Sequence, residues 1–209
     1  MLKSKVQPPV LILGMHRSGT TMVAEALNSA GVYAGAICDH NREPLYAVDL
    51  NERILEAAGG NWWQPPSKDG LMTALAQFEP ELDSTHLYAA HLKVKSCKSW
   101  RQRMHYKGPW LIKDPRFCLT LPWWLERFPD AIVIWVLRDE QAVVSSLLRR
   151  QEKSDEAQSE LDAIKALELH YSYNAQASAT LKAMGVDYCA VRYEDLVSSD
   201  EAMQRKSWF

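Results

Sequence analysis

Residues 14–22, GMHRSGTTM, gather Arg17, Ser18, Thr20 and Thr21 around two glycines, Gly14 and Gly19, in G-x-x-x-x-G spacing. The apolar run Pro9-Val10-Leu11-Ile12-Leu13 precedes them and a helical pattern follows. A strand, a glycine loop and a helix N-terminus together make an anion site. The first helical turn has unpaired N–H groups, the aligned peptide dipoles place partial positive charge there, and glycines let the backbone wrap closely. In loops that grip a nucleoside triphosphate, a lysine follows the second glycine and the next Ser or Thr holds magnesium. Thr20 stands at the lysine's place. The loop therefore suits a donor with a single 5′-phosphate bearing another transferable group, and Arg17 at its crest covers the bridging oxygen where charge builds.

Two further polar clusters follow apolar runs: Lys113-Asp114-Pro115-Arg116 after residues 110–112, and Arg138-Asp139 after 131–137. An arginine at a strand's carboxyl end is well placed for a bidentate phosphate contact. Asp139 at the same point admits a different reading, a magnesium-holding carboxylate in a P-loop kinase or hydrolase. Arg116 and Asp114 are also a natural structural ion pair.

The elements that must position these groups read as strands at 9–13, 110–112, 131–137 and 187–193. Helices are expected over 20–30, 46–58, 80–106, 119–128, 140–151, 156–184 and 194–206, with NWWQPPSKDG (61–70) a loop by its prolines and glycine. Strands alternating with helices predict an α/β fold with a mostly parallel sheet covered on both faces. Ligands bind beyond the carboxyl ends of such strands, so the three clusters converge on one edge. The continuous apolar run 131–137 belongs at the centre of the sheet.

The 209 residues suit one α/β domain, 1–209, in which 38–108 is a mostly helical insertion on the acceptor side. With 47% hydrophobic residues, 24% charged and a formal net charge of −2, the composition is globular and offers no basis for coating nucleic acid. Cys38, Cys97, Cys118 and Cys189 form no C-x-x-C pair, which points to reduced thiols in a cytoplasmic protein rather than to disulfides or zinc. No run reaches the length of a membrane span. The basic segment 91–107 reads as a solvated helix face or a lure for an anionic acceptor. Trp62, Trp63, Trp123 and Trp124 read as core or as an acceptor wall, and His86, His91, His105 and His170 as surface or packing histidines.

Three segments together, HRSGTT (16–21), VLRDEQAVVSSLLRR (136–150) and VRYEDL (191–196), resemble the sulfotransferases that use 3′-phosphoadenosine 5′-phosphosulfate (PAPS). The resemblance implies a P-loop NTPase-like three-layer α/β/α fold and in-line transfer of a sulfuryl group from PAPS to a hydroxyl or amine. It implies 3′-phosphoadenosine 5′-phosphate (PAP) as product and no metal requirement. His16, Arg17, Ser18, Gly19, Thr20 and Thr21 correspond to the 5′-phosphosulfate loop, Arg138 and Ser146 to the 3′-phosphate site, and Tyr193 to a residue near the adenine. Because Ser146 lies two helical turns beyond Asp139, either Arg138 reaches back to it, the helix begins late, or Ser145 is the ligand.

Sulfuryl transfer needs positioning, charge stabilisation and a base near the acceptor. CDHNREP supplies Asp39, His40 and Glu43 as candidate bases, and the spacing of Glu43 from Asn51 resembles that in bacterial members of the family. A Lys-Asp-Pro segment similar to that of the tyrosyl-protein branch assigns Lys113 to the transition state. Met22 stands where cytosolic members often carry an adenine-stacking Trp, and their late G-x-x-G-x-x-K segment has no match. The chain ends soon after YEDL, as a short, truncated or inactive relative would. The acceptor, whether small molecule, glycan or peptide, is not legible.

Overall fold

Val10–Leu13 (β1) carries only apolar side chains and is buried from Leu11 onward, as an interior parallel strand must be. It pairs in parallel with Leu111–Lys113 (β2) on one side and Ile132–Leu137 (β3) on the other. Tyr188–Arg192 (β4) adds in parallel to β3, giving the order β2-β1-β3-β4. The computed structural model describes residues 7–93, 108–152 and 161–204. Most of the basic segment 91–107, with Cys97 and His105, lies outside the described residues, as do the expected start of helix 156–184 and the end of helix 194–206.

Parallel strands need long crossovers, and helices fill them: Thr20–Ser29 (α1), Leu45–Ala57 (α2), Lys68–Gln77 (α3) and Ser84–His91 (α4) lie between β1 and β2. Phe117–Arg127 (α5) joins β2 to β3, Glu140–Gln151 (α6) and Ala163–Met184 (α7) join β3 to β4, and Tyr193–Gln204 (α8) follows. The pleat sends alternate residues to opposite faces. Leu11, Leu13, Val133 and Trp135 enter a large core with Leu119 and Leu125 of α5, Val143 and Leu147 of α6, and Leu169 and Tyr173 of α7. Ile12, Leu111 and Val136 meet Val23 and Ala24 of α1 in a smaller core, with Leu196 of α8 packed against it. The result is the expected three-layer α/β/α arrangement around a parallel sheet. Among the described residues, no helix is long and apolar enough to cross a membrane.

Three expectations need correction. The second strand ends at Lys113 rather than before it, because its register follows Ile12↔Lys113 across to β1. The segment 61–70 is not wholly loop: Ser67 accepts a hydrogen bond from the Gly70 N–H (3.2 Å) and starts α3, whose Leu71, Ala74 and Leu75 form a buried stripe. The prolines just before Ser67 hid that cap. The helix expected over 80–106 begins at Ser84, where Asp83 accepts from the Thr85 and His86 N–H groups. Trp123 and Trp124 are core residues of α5, both at most 1% exposed, so they form no acceptor wall.

His91 at the end of α4 is a packing residue, enclosed by Trp110, Tyr33 and Tyr46. Nδ1 lies 3.3 Å from the Tyr46 hydroxyl and Nε2 3.4 Å from the Tyr33 carbonyl, which fits a neutral ring donating through Nε2. Burial lowers its pKa to about 4. The unfolded chain takes up that proton near pH 6.5 and the folded chain only near 4. Stability from His91 is therefore complete above pH 6.5 and is lost as the pH falls toward 4, by up to about 3 kcal/mol. Urea unfolding at pH 7 and 4.5 is expected to show the fall and His91→Gln to shrink it; identical pH dependence in both proteins would dismiss His91 as its source.

Candidate active site

The loop between β1 and α1 is shaped by what presses on its glycines. A Cβ at Gly14 would lie 2.4 Å from the Val136 carbonyl oxygen, so the loop can leave the sheet beside β3 only with glycine there. Gly19 has φ 92°, and a Cβ on it would lie 2.2 Å from Cδ2 of Tyr193. Between them Arg17 adopts φ 71°, a left-handed conformation uncommon for a side chain of its size. Two partners hold it: Arg138 Nη1 donates to the Arg17 carbonyl (2.8 Å), and Arg17 Nε donates to Ser146 Oγ (2.9 Å). The Arg138 guanidinium lies 4.2 Å over the Tyr193 ring. Arg138, Ser146 and Tyr193, distant in sequence, thus gather on one arginine of the loop.

α6 begins at Glu140, and its Asp139 N-cap accepts from the Ala142 N–H at 2.9 Å. The carboxylate that a kinase-like reading would aim at magnesium is engaged as a helix cap. Ser146 is buried and faces the loop, whereas Ser145 is exposed and its carbonyl accepts from Arg149. Ser18 and Thr20 are buried within the loop, and no side chain caps α1, whose first residues line the cleft.

On the other side of the loop, Lys113 Nζ donates to Glu43 Oε1 (2.7 Å), the Asn41 carbonyl (3.1 Å) and Thr21 Oγ1 (3.3 Å). Arg116 donates to Glu43 Oε2 (3.3 Å), Asp114 Oδ1 (3.0 Å) and Glu52 Oε1 (2.8 Å). The Asp114–Arg116 ion pair therefore exists, inside a larger network that also holds Glu43. Of the three candidate bases only Glu43 lines the cleft. His40 is exposed, and Asp39 accepts from the Asn41 and Glu43 N–H groups, making the turn that presents Glu43. Burial pushes the Glu43 carboxyl up, nearby Asp114 adds to this, and Lys113 and Arg116 oppose it. Burial works against the Arg116 charge, but Asp114, Glu43 and Glu52 outweigh it and raise its pKa.

The cleft between these groups has a volume of about 320 Å³ and is also lined by His16, Met22, Glu25 and Arg150. His16 is held well below the usual histidine range, first by burial and then by Arg116, Lys113, Arg150 and Arg17. Burial also lowers Arg17, with Arg150, Arg138 and Arg149 adding. No carboxylate among the described residues pairs with Arg17, Arg138 or Arg150. Sequence reasoning missed Arg150, although its position one helical turn beyond Ser146 puts both on one face of α6. It also missed Asn51, whose side chain donates to Asp114 (2.8 Å) while accepting from Thr120 and Trp124 (2.8 Å each). Only the spacing of Glu43 to Asn51 hinted at it.

A family profile described as "Sulfotransferase family" matches residues 8–206. Among solved structures, the chain is similar to sulfotransferase STF9 from Mycobacterium avium (18% identity, TM-score 0.51), covering 98% of this chain and 64% of that one. The sulfotransferase domain of the Synechococcus PCC 7002 olefin synthase aligns at 20% identity and TM-score 0.52, over 96% of this chain and 71% of that. The sulfotransferase domain from the curacin biosynthetic pathway aligns at 17% and 0.56, over 97% and 73%. At these identities the likeness is one of fold, and the chain spans about two thirds of the length of the first of them. No curated protein matches the sequence significantly.

The Asn51 side chain is the hub joining Asp114 to the core of α5. Asn51→Leu, close in volume, leaves Asp114, Thr120 and Trp124 each short of a partner and is expected to cost about 3 kcal/mol or more in urea unfolding. A loss below about 1 kcal/mol would show that water replaces it.

Proposed function

The chain belongs to the sulfotransferase family, and from that premise we propose that it moves a sulfuryl group from PAPS to a hydroxyl or amine of a small-molecule, glycan or peptide acceptor. The observation that carries this reading is the charge arrangement of the cleft. At one end the buried charges Glu43, Asp114, Lys113 and Arg116 compensate one another. At the other, Arg17, Arg138 and Arg150 are without carboxylate partners among the described residues, beside the N-terminus of α1. That unbalanced end suits a donor with two phosphate-type groups.

When bound, the donor supplies a sulfuryl group activated by its anhydride link to the 5′-phosphate. The loop amides and the hydroxyls of Ser18, Thr20 and Thr21 hold the 5′ end. Arg138 and Ser146 hold the 3′-phosphate, with Arg150 within the same cluster, and Tyr193 flanks the adenosine. Arg17, released from Ser146, turns to the bridging oxygen. Glu43 takes the acceptor's proton, and as its charge is lost the Lys113 ammonium becomes free to act on the departing group. The sulfuryl group carries less charge than a phosphoryl group, so these cations suffice without a divalent ion. The described part of segment 38–108, which brings Asn41 and Glu43 to the cleft, forms the acceptor side. The free thiols of Cys38, Cys118 and Cys189 suit the reducing cytoplasm.

Transfer of radiolabelled sulfate from PAPS to a panel of phenols, sugars and amines tests the reading directly; no transfer and no PAP binding would end it. Arg17→Ala is expected to lower turnover about 10²–10³-fold with the melting temperature little changed; unaltered turnover would take Arg17 out of the chemistry. In calorimetry, Arg138→Ala should weaken PAP about tenfold or more yet spare adenosine 5′-phosphate. Equal losses for both nucleotides would count against a 3′-phosphate role.

A further inference from the structure

Asn51 and Glu52, consecutive on α2, hold the two members of the Asp114–Arg116 ion pair. Asn51 donates to Asp114 (2.8 Å), and Arg116 Nη2 donates to Glu52 Oε1 (2.8 Å). Asn51 is wholly buried, whereas the Glu52 side chain is half exposed, so Glu52 brings a carboxylate from the rim onto a buried guanidinium. The charges show what that carboxylate adds. Lys113 and Arg116 balance Glu43 and Asp114, and Glu52 leaves the cluster with three carboxylates to two cations. A cluster one positive charge short takes up a proton more readily than a balanced one. Of the three carboxylates Glu43 is the one that lines the cleft, so a proton released there meets Glu43.

The geometry of Arg116 carries the charge of Glu52 inward. A guanidinium binds a carboxylate best through two parallel N–H groups. Arg116 makes no such fork with Glu43. Its Nη1 is divided between Asp114 (3.0 Å) and Glu43 (3.3 Å), Nη2 goes to Glu52, and Nε is buried without a hydrogen-bond partner. The shortest of these contacts is to Glu52 and the longest to Glu43. Of the two cations on Glu43, only Lys113 is close, at 2.7 Å. Burial, with Asp114 adding, pushes the Glu43 carboxyl up against the pull of Lys113 and Arg116. The charged groups on Glu43 are thus Lys113, Asp114 and Arg116, from β2 and the turn after it. α1 contributes only neutral Thr21, through Lys113, and α2 contributes Glu52, through Arg116.

We propose that Glu52 is a positioning residue: by engaging Nη2 it draws Arg116 off Glu43 and so keeps Glu43 able to take the acceptor's proton. The proposal rests on Glu43 being the base of the sulfuryl transfer. In that step the acceptor's O–H or N–H bond breaks as its bond to sulfur forms. The S–O bond to the 5′-phosphate breaks with its electron pair leaving on PAP, and the proton passes to Glu43.

Carboxyl ¹³C NMR titration of Glu43 in wild type, Glu52→Gln and Glu52→Asp tests it without any acceptor. Both variants keep Asp114 and Glu43 on Arg116, and a side chain at the rim leaves no cavity in the core. Without the Glu52 charge, Arg116 is free to fork onto Glu43. The Glu43 midpoint is therefore expected to fall by about half a pH unit or more in Glu52→Gln, and by less in Glu52→Asp, which keeps the charge. A structural role alone would lower stability and leave the midpoint where it is. With an acceptor in hand, the acid limb of the pH–rate profile should move down with the midpoint in Glu52→Gln, while PAP affinity stays within about twofold. An unmoved or raised midpoint overturns the proposal. A lowered midpoint beside full turnover in Glu43→Gln overturns the base assignment instead.

Discussion

Glu43 is clasped between Lys113 and Arg116 where water scarcely reaches, and that end of the cleft is organised around keeping the arrangement whole. A buried carboxylate is costly unless its charge is met and its lone pairs are filled. Here both oxygens have cationic donors, and the second cation is anchored by Asp114, which Asn51 ties to Thr120 and Trp124. One polar chain thus runs from the core of α5 through α2 to Thr21 on α1. Removing any middle member strands a charge in a dry place, so the chain acts as a unit.

The loop end obeys the opposite rule. Arg17, Arg138 and Arg150 have no carboxylates to meet them among the described residues, and Arg17 is held in a left-handed backbone by the Arg138 guanidinium on its carbonyl and by the Ser146 hydroxyl. Burial first, and then the like charges of Arg150, Arg138 and Arg149, lower the pKa of Arg17. Under the proposed function, this arrangement beside a helix N-terminus serves a ligand rather than the fold. The cleft therefore has one end whose charges the protein balances itself and one whose arginines have no carboxylate partner among the described residues.

Much of the framework was legible residue by residue. The apolar runs at 9–13 and 131–137 became internal strands because only a strand covered on both faces tolerates unbroken hydrophobicity. Gly14 and Gly19 announced a close-wrapped loop, and the structure shows against what: a carbonyl of β3 and the ring of Tyr193. Less visible was α3, since its Ser67 cap sits directly behind two prolines. Hidden too was the central place of Arg116, because nothing in KDPRF says that a guanidinium will reach α2 as well as its own turn. Asp139 read from the sequence as a candidate magnesium ligand, and the start of α6 at Glu140 makes it a helix cap instead.

The sequence by itself determined the strand–loop–helix unit and the parallel sheet, and it set the expectation that residues 14–21 bind an anion. Those follow from local rules: periodicity, backbone freedom at glycine and the exposed amides of a helix start. Only the tertiary structure decided which charges are neutralised and which are left over. That depends on distances between residues up to 129 positions apart, as Arg17 and Ser146 are, and on how much water is excluded between them. Neither quantity is written in the order of the residues, because Coulomb attraction and desolvation are set by the folded space around a group.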